Sequence, residues 1–125
     1  MIGYEVVESY VPAYFCPLKS AYYYKIKDGS QNCEIRPCGH HGWNPKHIYV
    51  GRHINFSKGY GKQERILKQV LRTVVTSDLE RLGVPLWHIQ AVEAIYGQRL
   101  WLCAFVEDIP ITPEVMAGRR VGRSR

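Results

Sequence analysis

The apolar residues between positions 62 and 82 recur at intervals of three and four, and this spacing constrains the fold more than any other feature of the sequence. Polar and charged residues separate them. Such spacing places apolar side chains on one face of an α-helix. The sequence therefore predicts an amphipathic helix over about 62–82 with a bend near Thr76 and Ser77. Its predicted buried stripe is Ile66, Leu67, Val70, Leu71, Val74 and Val75.

Residues 4–56 favour short strands instead. The segments YEVVESYV, SAYYYKIK and HIYVGRHINF are rich in β-branched and aromatic residues, and Pro and Gly separate them. The later segment RLWLCAFVED is apolar on both faces, which is typical of a central strand. Together these patterns predict an α+β fold: an antiparallel sheet of five or six strands with the 62–82 helix packed on it.

Residues 85–98 allow two structures. A hairpin would turn at Tyr96, Gly97 and Gln98, with its second strand running on toward position 106. A helix would begin at Pro85, bury Leu86, Ile89, Val92 and Tyr96, and end at Gly97. The sequence leaves both open.

The length of 125 residues predicts one α+β domain over 1–117, followed by an Arg-rich, disordered tail over 118–125. The start of the chain has no signal-peptide pattern, and no apolar run is long enough for a spanning helix. We therefore expect a cytoplasmic protein with no membrane partner and with reduced thiols. Nothing in the sequence predicts the oligomeric state.

The formal net charge is +6, and four positive charges come from Arg119, Arg120, Arg123 and Arg125. A mobile cationic tail attracts polyanions such as nucleic acid. Further cations with the same expected role are Arg52, Lys58 and Lys62. The tail is equally compatible with a solubilising role.

The segment Cys33–His53 contains two of the four cysteines and four of the five histidines. Thiolate and imidazole groups are zinc ligands, which makes Cys33, Cys38, His41 and His47 candidate metal ligands. Only two residues separate Cys38 from His41, and this excludes a standard zinc finger. A compact loop site for Zn²⁺ or another divalent metal remains, as does the alternative of buried thiols beside a surface loop.

The stretch CGHHGWNPKHIYVGRH resembles the metal-binding part of phage-type HNH (His-Me finger) endonucleases, with Asn44, Pro45, His47 and Gly51 matching their pattern. The resemblance implies that His47 binds a divalent metal and that Asn44 orients the catalytic histidine. It also implies that His40 or His41 activates water against a phosphodiester.

Residues 62–106 are similar to a winged helix-turn-helix. The segments KQERILKQVLRT, SDLERLG and PLWHIQAVEAIYG would supply its helices, and RLWLCAFVE a wing strand. This similarity implies a DNA-binding regulator.

The combined signals predict a small nucleic-acid-associated protein in which the basic tail contacts phosphate and the Cys33–His53 loop is the specific site. The size, the tail and the absence of metabolic motifs suit a viral or mobile-element protein. Binding is favoured over catalysis, and a metal-dependent nuclease is the expected enzyme class if there is one. A further alternative is a protein-binding adaptor or inhibitor that uses Trp43, Tyr49 and Tyr60 as a contact patch.

Overall fold

The computed structural model describes residues 11–61 and 63–109, which form a five-stranded sheet and two α-helices. The sheet has the strand order β1-β3-β4-β5-β2, and β1 with β3 is its one parallel pair. The α+β class and the mainly antiparallel sheet of five strands are therefore confirmed. The elements are β1 (Tyr14–Leu18), α1 (Ser20–Asp28), β2 (Cys33–Pro37), β3 (His53–Lys58), β4 (Arg65–Thr76), α2 (Leu86–Tyr96) and β5 (Trp101–Asp108).

The predicted helix over 62–82 is wrong, because Arg65–Thr76 forms the long strand β4 and only Glu80–Leu82 adds a 3₁₀ turn. The register against β5 slips between Val70 and Arg72, which marks a β-bulge at Leu71. Ile66 and Leu67 are neighbours in this strand and therefore lie on opposite faces of the sheet, as do Val74 and Val75. The helical spacing of the apolar residues thus comes from adjacent pairs that occupy both faces of one strand. The segment proposed as the first helix of a helix-turn-helix lies in this strand.

The strand predicted for SAYYYKIK is also wrong, because Ser20–Asp28 forms α1. Tyr23 and Ile26, three residues apart, are both fully buried. Gly29 ends the helix at a φ of 84°, with its N–H donating to the Ile26 carbonyl. In HIYVGRHINF only the part from His53 onward is a strand. The YEVVESYV strand, Lys62, the Arg-rich tail and the 117/118 boundary lie outside the described residues.

The helical interpretation of residues 85–98 is confirmed, with α2 covering Leu86–Tyr96 and ending at Gly97. The central position of β5 is confirmed too, because it lies between β4 and β2. Within the described ranges, neither helix is long and apolar enough to cross a membrane.

The core consists of two clusters, and alternate residues of β5 contribute to each. Leu102, Ala104 and Val106 belong to the larger cluster, which β1, β3 and α1 complete. Trp101 and Cys103 belong to the smaller cluster, which β2 and α2 complete. The sheet is therefore covered on both sides where β5 and β2 lie.

The two edge strands of the sheet approach each other. Nη2 of Arg36 in β2 donates to the carbonyl of Pro17 in β1 at 2.9 Å, although β1 and β2 are at opposite ends of the strand order. The sheet is thus curled, and a side chain bridges its edges at this point.

Candidate functional site

The structure separates the two cysteines of the predicted metal site. Cys33 at the start of β2 is buried in the α2 cluster, where its thiol pairs with that of Cys103. Burial and this contact raise the pKa of the Cys33 thiol. Cys38 follows β2 and packs against the other cluster. Among residues 11–61 and 63–109, no group of three or more His, Cys, Asp and Glu side chains is arranged to hold a metal ion.

The two adjacent histidines lie in the 3₁₀ turn His40–Gly42, with their rings 4.2 Å apart. His40 also contacts the ring of Tyr96 in α2, at 5.3 Å. Burial, His41 and the charge of Arg36 lower the pKa of His40. His41 is exposed and has a φ of 48°, a left-handed conformation, and Gly42 after it also has a positive φ.

Asn44 organises the turn that follows. Its Oδ1 accepts the backbone N–H groups of Lys46 at 3.0 Å and of His47 at 3.2 Å. In the endonuclease resemblance this oxygen would orient a histidine side chain, whereas here the described contacts of Oδ1 are with backbone amides. The His47 side chain is exposed, and the chain continues through a turn into β3. The loop is attached to the core by Trp43, which is fully buried and donates its Nε1–H to the Leu102 carbonyl at 2.8 Å.

The burial of Trp43 removes it from the predicted contact patch, while Tyr49 and Tyr60 remain on the surface. Tyr60 instead belongs to a different group of residues, which we call the basic–aromatic face. Its members are Phe15, Tyr24, Lys58, Tyr60 and Arg65. Each of its three aromatic rings is exposed, by 39% for Phe15, 44% for Tyr24 and 76% for Tyr60.

Sheet register brings the basic–aromatic face together. Phe15 lies beside Asn55 of β3, and Arg65 lies beside Ser57 of the same strand. Positions 55 and 57 lie on one side of β3, so Phe15 and Arg65 flank it on that side. The Arg65 guanidinium stands over the Phe15 ring at 5.0 Å.

Tyr60 reaches this group from the β3–β4 loop. Gly59 and Gly61, on either side of it, have φ values of 85° and 78°. Only glycine adopts such angles without strain, so these residues allow the tight turn that projects Tyr60 outward. Its ring centroid lies 6.1 Å from that of Phe15. Arg65 stabilises the loop by donating from Nη2 to the Gly61 carbonyl at 2.8 Å.

Lys58 follows Ser57 in β3, so its side chain leaves the strand on the side opposite to Phe15 and Arg65, and with Tyr24 it forms a second ring–cation pair at the end of this strand. Nζ of Lys58 contacts the Tyr24 hydroxyl at 3.0 Å and lies 5.4 Å from its ring centroid. The nearby Glu64 is paired with Lys27 and accepts the Tyr23 hydroxyl, and the Lys27 contact lowers the pKa of Glu64. The carboxylate is therefore compensated by Lys27, and Lys58 and Arg65 leave the face positively charged.

The other cations expected at a nucleic-acid site are placed differently. The Arg52 guanidinium donates to the carbonyls of His47 and Pro12 and lies near the rings of Tyr14 and Tyr49. Arg52 thus braces the 47–52 turn. Of the two expected cations within residues 11–61 and 63–109, Arg52 and Lys58, it is Lys58 that belongs to the basic–aromatic face.

Sequence reasoning missed Phe15, Tyr24 and Arg65. The signal for Tyr60 was present, since a tyrosine between two glycines marks an exposed turn. Arg65 was assigned to a helix, and this assignment hid its place across β3 from Phe15.

Comparisons of the chain with protein-family models, with curated proteins and with solved structures find no match.

Proposed function

We propose that this protein binds single-stranded nucleic acid on the basic–aromatic face. The observation that carries the proposal is the repeated pairing of an exposed ring with a cation, Phe15 with Arg65 and Tyr24 with Lys58, together with the exposed Tyr60 ring beside Phe15. Proteins that bind single strands combine aromatic platforms, on which bases stack, with cations that follow the backbone.

The exposure of the rings supports stacking of unpaired bases, which a single strand can offer. The three rings span β1, α1 and the β3–β4 loop, and all are reachable from solvent. Stacking is tolerant of sequence because every base has a π-face, so we expect weak sequence preference.

The Arg-rich tail adds a separable contribution. Arg119, Arg120, Arg123 and Arg125 supply non-specific attraction to phosphate, which depends steeply on salt. Stacking on Tyr60 involves no counterion release. The two contributions therefore have different signatures in a salt titration.

The test is fluorescence anisotropy with labelled oligo(dT) and oligo(rU) of roughly 12 nucleotides, a length within the usual range for one stacking surface. Phe15→Ala and Tyr60→Ala should each weaken binding roughly 5- to 100-fold, since stacking contributes about 1–3 kcal/mol per base. The matched control is Tyr49→Ala, because Tyr49 is 38% exposed but lies outside the face. Arg65→Gln should weaken binding more than Arg81→Gln, a change of another exposed arginine.

The salt titration separates the tail from the face. Deleting residues 118–125 should flatten the dependence of log K on log salt, while Tyr60→Ala should lower affinity and leave the slope unchanged. No binding at low salt, or equal losses in Tyr49→Ala and Tyr60→Ala, would refute the proposal.

A further inference from the structure

Strand β4 is longer than the neighbouring strand β3, and this leaves one edge of its second half open. β3 pairs with β4 only as far as Gln69, and the turn before β3 adds a last pair of hydrogen bonds to the backbone of Val70. Beyond this point β4 continues to Thr76 with β5 on one side and with no strand of residues 11–61 and 63–109 on the other. We call residues 72–76, on that side, the open edge.

The peptide groups that point to the open edge can be identified from the neighbouring strands. In β5 the N–H of Val106 donates to the β2 side, so the peptide groups of the adjacent Phe105 point toward β4. Phe105 lies opposite Arg72, whose peptide groups therefore bond with β5. Strand alternation then directs the N–H and C=O groups of Thr73 and Val75 to the open edge. No hydrogen bond from elsewhere in the described part of the chain reaches these groups.

The open edge has little of the protection that native sheet edges carry. Such edges are usually protected by Pro, by Lys or other charges, or by a bulge that twists the strand away. The sequence RTVVT contains no Pro, no Lys and no acidic residue, and its one charge is Arg72. The bulge at Leu71 precedes it, and the register against β5 is regular from Arg72 to Thr76. The open edge is thus a regular, β-branched stretch about 17 Å long, and such an edge is a template for another strand.

The open edge is complementary to itself when two copies run antiparallel. With a two-fold axis at Val74, Thr73 of each copy lies opposite Val75 of the other. Both residues direct their peptide groups outward, so each of these pairs exchanges both of its N–H···O=C bonds. Val74 lies opposite itself. The side chains that meet are β-branched, and such cross-strand pairs stabilise a sheet.

Charge complementarity supports the same register. Arg72 falls opposite Thr76 of the second copy, so the two Arg72 side chains do not face each other. Asp78 is exposed and lies two residues beyond Thr76. Diagonal neighbours on antiparallel strands are about 7–8 Å apart, which places Asp78 of the second copy within reach of the Arg72 side chain. The two-fold axis repeats this contact, so the contact region is locally neutral although the chain has a net charge of +6.

We propose that a second copy of this chain binds the open edge of β4, antiparallel and with two-fold symmetry. This pairing satisfies the peptide groups of Thr73 and Val75 and joins two five-stranded sheets into one. The exposed side chains of Leu71 and of Val50, in the adjoining turn, extend the contact with apolar surface. The basic–aromatic face lies at the other end of β4, at Arg65, and stays accessible in both copies. The inference is therefore independent of the proposed function.

Sedimentation velocity of the full chain over a concentration series tests the inference, and the unaltered chain should form a dimer as concentration rises. Val75→Lys puts a charge at the open edge at a position that is 44% exposed, and should raise the dimer dissociation constant at least about tenfold. Thr73→Pro removes an outward N–H and should have the same effect. The matched control is Ile95→Lys, which charges an exposed position of α2 and should change the constant less than about twofold.

A cysteine cross-link tests the register. In the proposed dimer Val74 lies opposite itself at a non-hydrogen-bonded position, where the two Cα atoms are about 4.5 Å apart, a distance that a disulfide spans. With diamide as the oxidant, Val74→Cys should form a covalent dimer. Thr76→Cys should not, because residue 76 lies opposite residue 72. The unaltered chain controls for its own four cysteines.

A chain that stays monomeric up to its solubility limit would overturn the inference, as would a dimer that persists unchanged in both edge variants. Equal cross-linking of Val74→Cys and Thr76→Cys would also overturn it. If a dimer forms only after residues 1–10 are deleted, that segment competes for the open edge and the inference fails. Oligonucleotide binding that depends on Tyr60 is measured separately, so the failure of this inference and the failure of the proposed function are distinguishable.

Discussion

Replacing Trp43 by Phe should destabilise the protein by about 2–4 kcal/mol. The indole is fully buried, and its Nε1–H is the donor to the Leu102 carbonyl at 2.8 Å. Phenylalanine leaves that buried carbonyl without this donor, which costs about 1–3 kcal/mol. The smaller ring also leaves a void, which adds roughly 1 kcal/mol. The loss is large for a single buried ring because Trp43 attaches the loop between β2 and β3 to the central strand β5.

The matched control is Trp87→Phe, since Trp87 lies on the surface of α2 and is 40% exposed. It stacks with Tyr22 and lies under the ammonium group of Lys25. Those surface contacts contribute about 0.5–1 kcal/mol, so its replacement should cost less than about 1 kcal/mol. Urea unfolding of the two variants, followed by circular dichroism, measures the difference. Equal losses would show that the indole is not anchored in the core and would refute the placement of the loop.

Val70→Asp should abolish folding because Val70 is 1% exposed. Leu71→Asp should cost under about 1 kcal/mol because Leu71 lies at the bulge and is 54% exposed. Thermal melts compare the two variants, and equal destabilisation would contradict the placement of Val70 and Leu71 in β4. Asp108→Asn should destabilise the protein, because it leaves the buried Lys68 ammonium without the carboxylate that lies 2.7 Å from it. Lys68→Met removes the buried charge itself and should leave stability unchanged or increase it, as measured by urea unfolding. Burial lowers the pKa of His88 from 6.5 to about 4, so the unfolded chain binds a proton that the folded chain does not. The free energy of unfolding should therefore fall as pH drops from about 6.5 toward 4, by at most about 1.4 kcal/mol per pH unit. His88→Gln should remove this contribution, and an unchanged pH slope in that variant would show that His88 is not its source.

The parts of the fold that sequence predicted correctly are those where local pattern and tertiary environment agree. The strand from Trp101 is apolar on both faces, and it lies between β4 and β2 with a core cluster on each side. In α2, Gly97 has a positive φ and ends the helix at the predicted residue. Such signals are local, so they can be read without knowing what packs against them.

The errors arose where a tertiary feature altered the local pattern. Adjacent apolar residues of β4, such as Ile66 and Leu67, lie on the two faces of the sheet, yet their recurrence along the chain matches helical spacing. Three consecutive tyrosines suggested a strand, but a helix buries Tyr23 and leaves Tyr24 exposed. The Asp28-Gly29 pair predicted a turn correctly, although it caps a helix. β-branched residues in β4, including Thr73, Val74 and Val75, were the signal that favoured a strand.

The candidate site was less predictable than the fold because its residues are distant in sequence. Phe15 and Arg65 meet only through the pairing of β1 and β4 with β3. The density of Cys and His directed attention to the Cys33–His53 loop, yet Cys33 and Cys38 pack in different clusters. The residue type of a cysteine does not show which side of its strand the thiol faces. Nor does it show which elements pack on that side, because this depends on where the strand lies in the sheet.

The position of the short strand β1 follows from its parallel pairing with β3. A parallel pair needs a crossover, and the chain between β1 and β3 supplies α1, β2 and the Trp43 loop. This crossover carries β2 to the far end of the sheet, and curling then returns β2 to the free edge of β1, where Arg36 contacts Pro17. Parallel pairing with β3 also places Phe15 on the side of that strand where Arg65 lies. The position of this aromatic ring beside a cation thus depends on one strand of five residues.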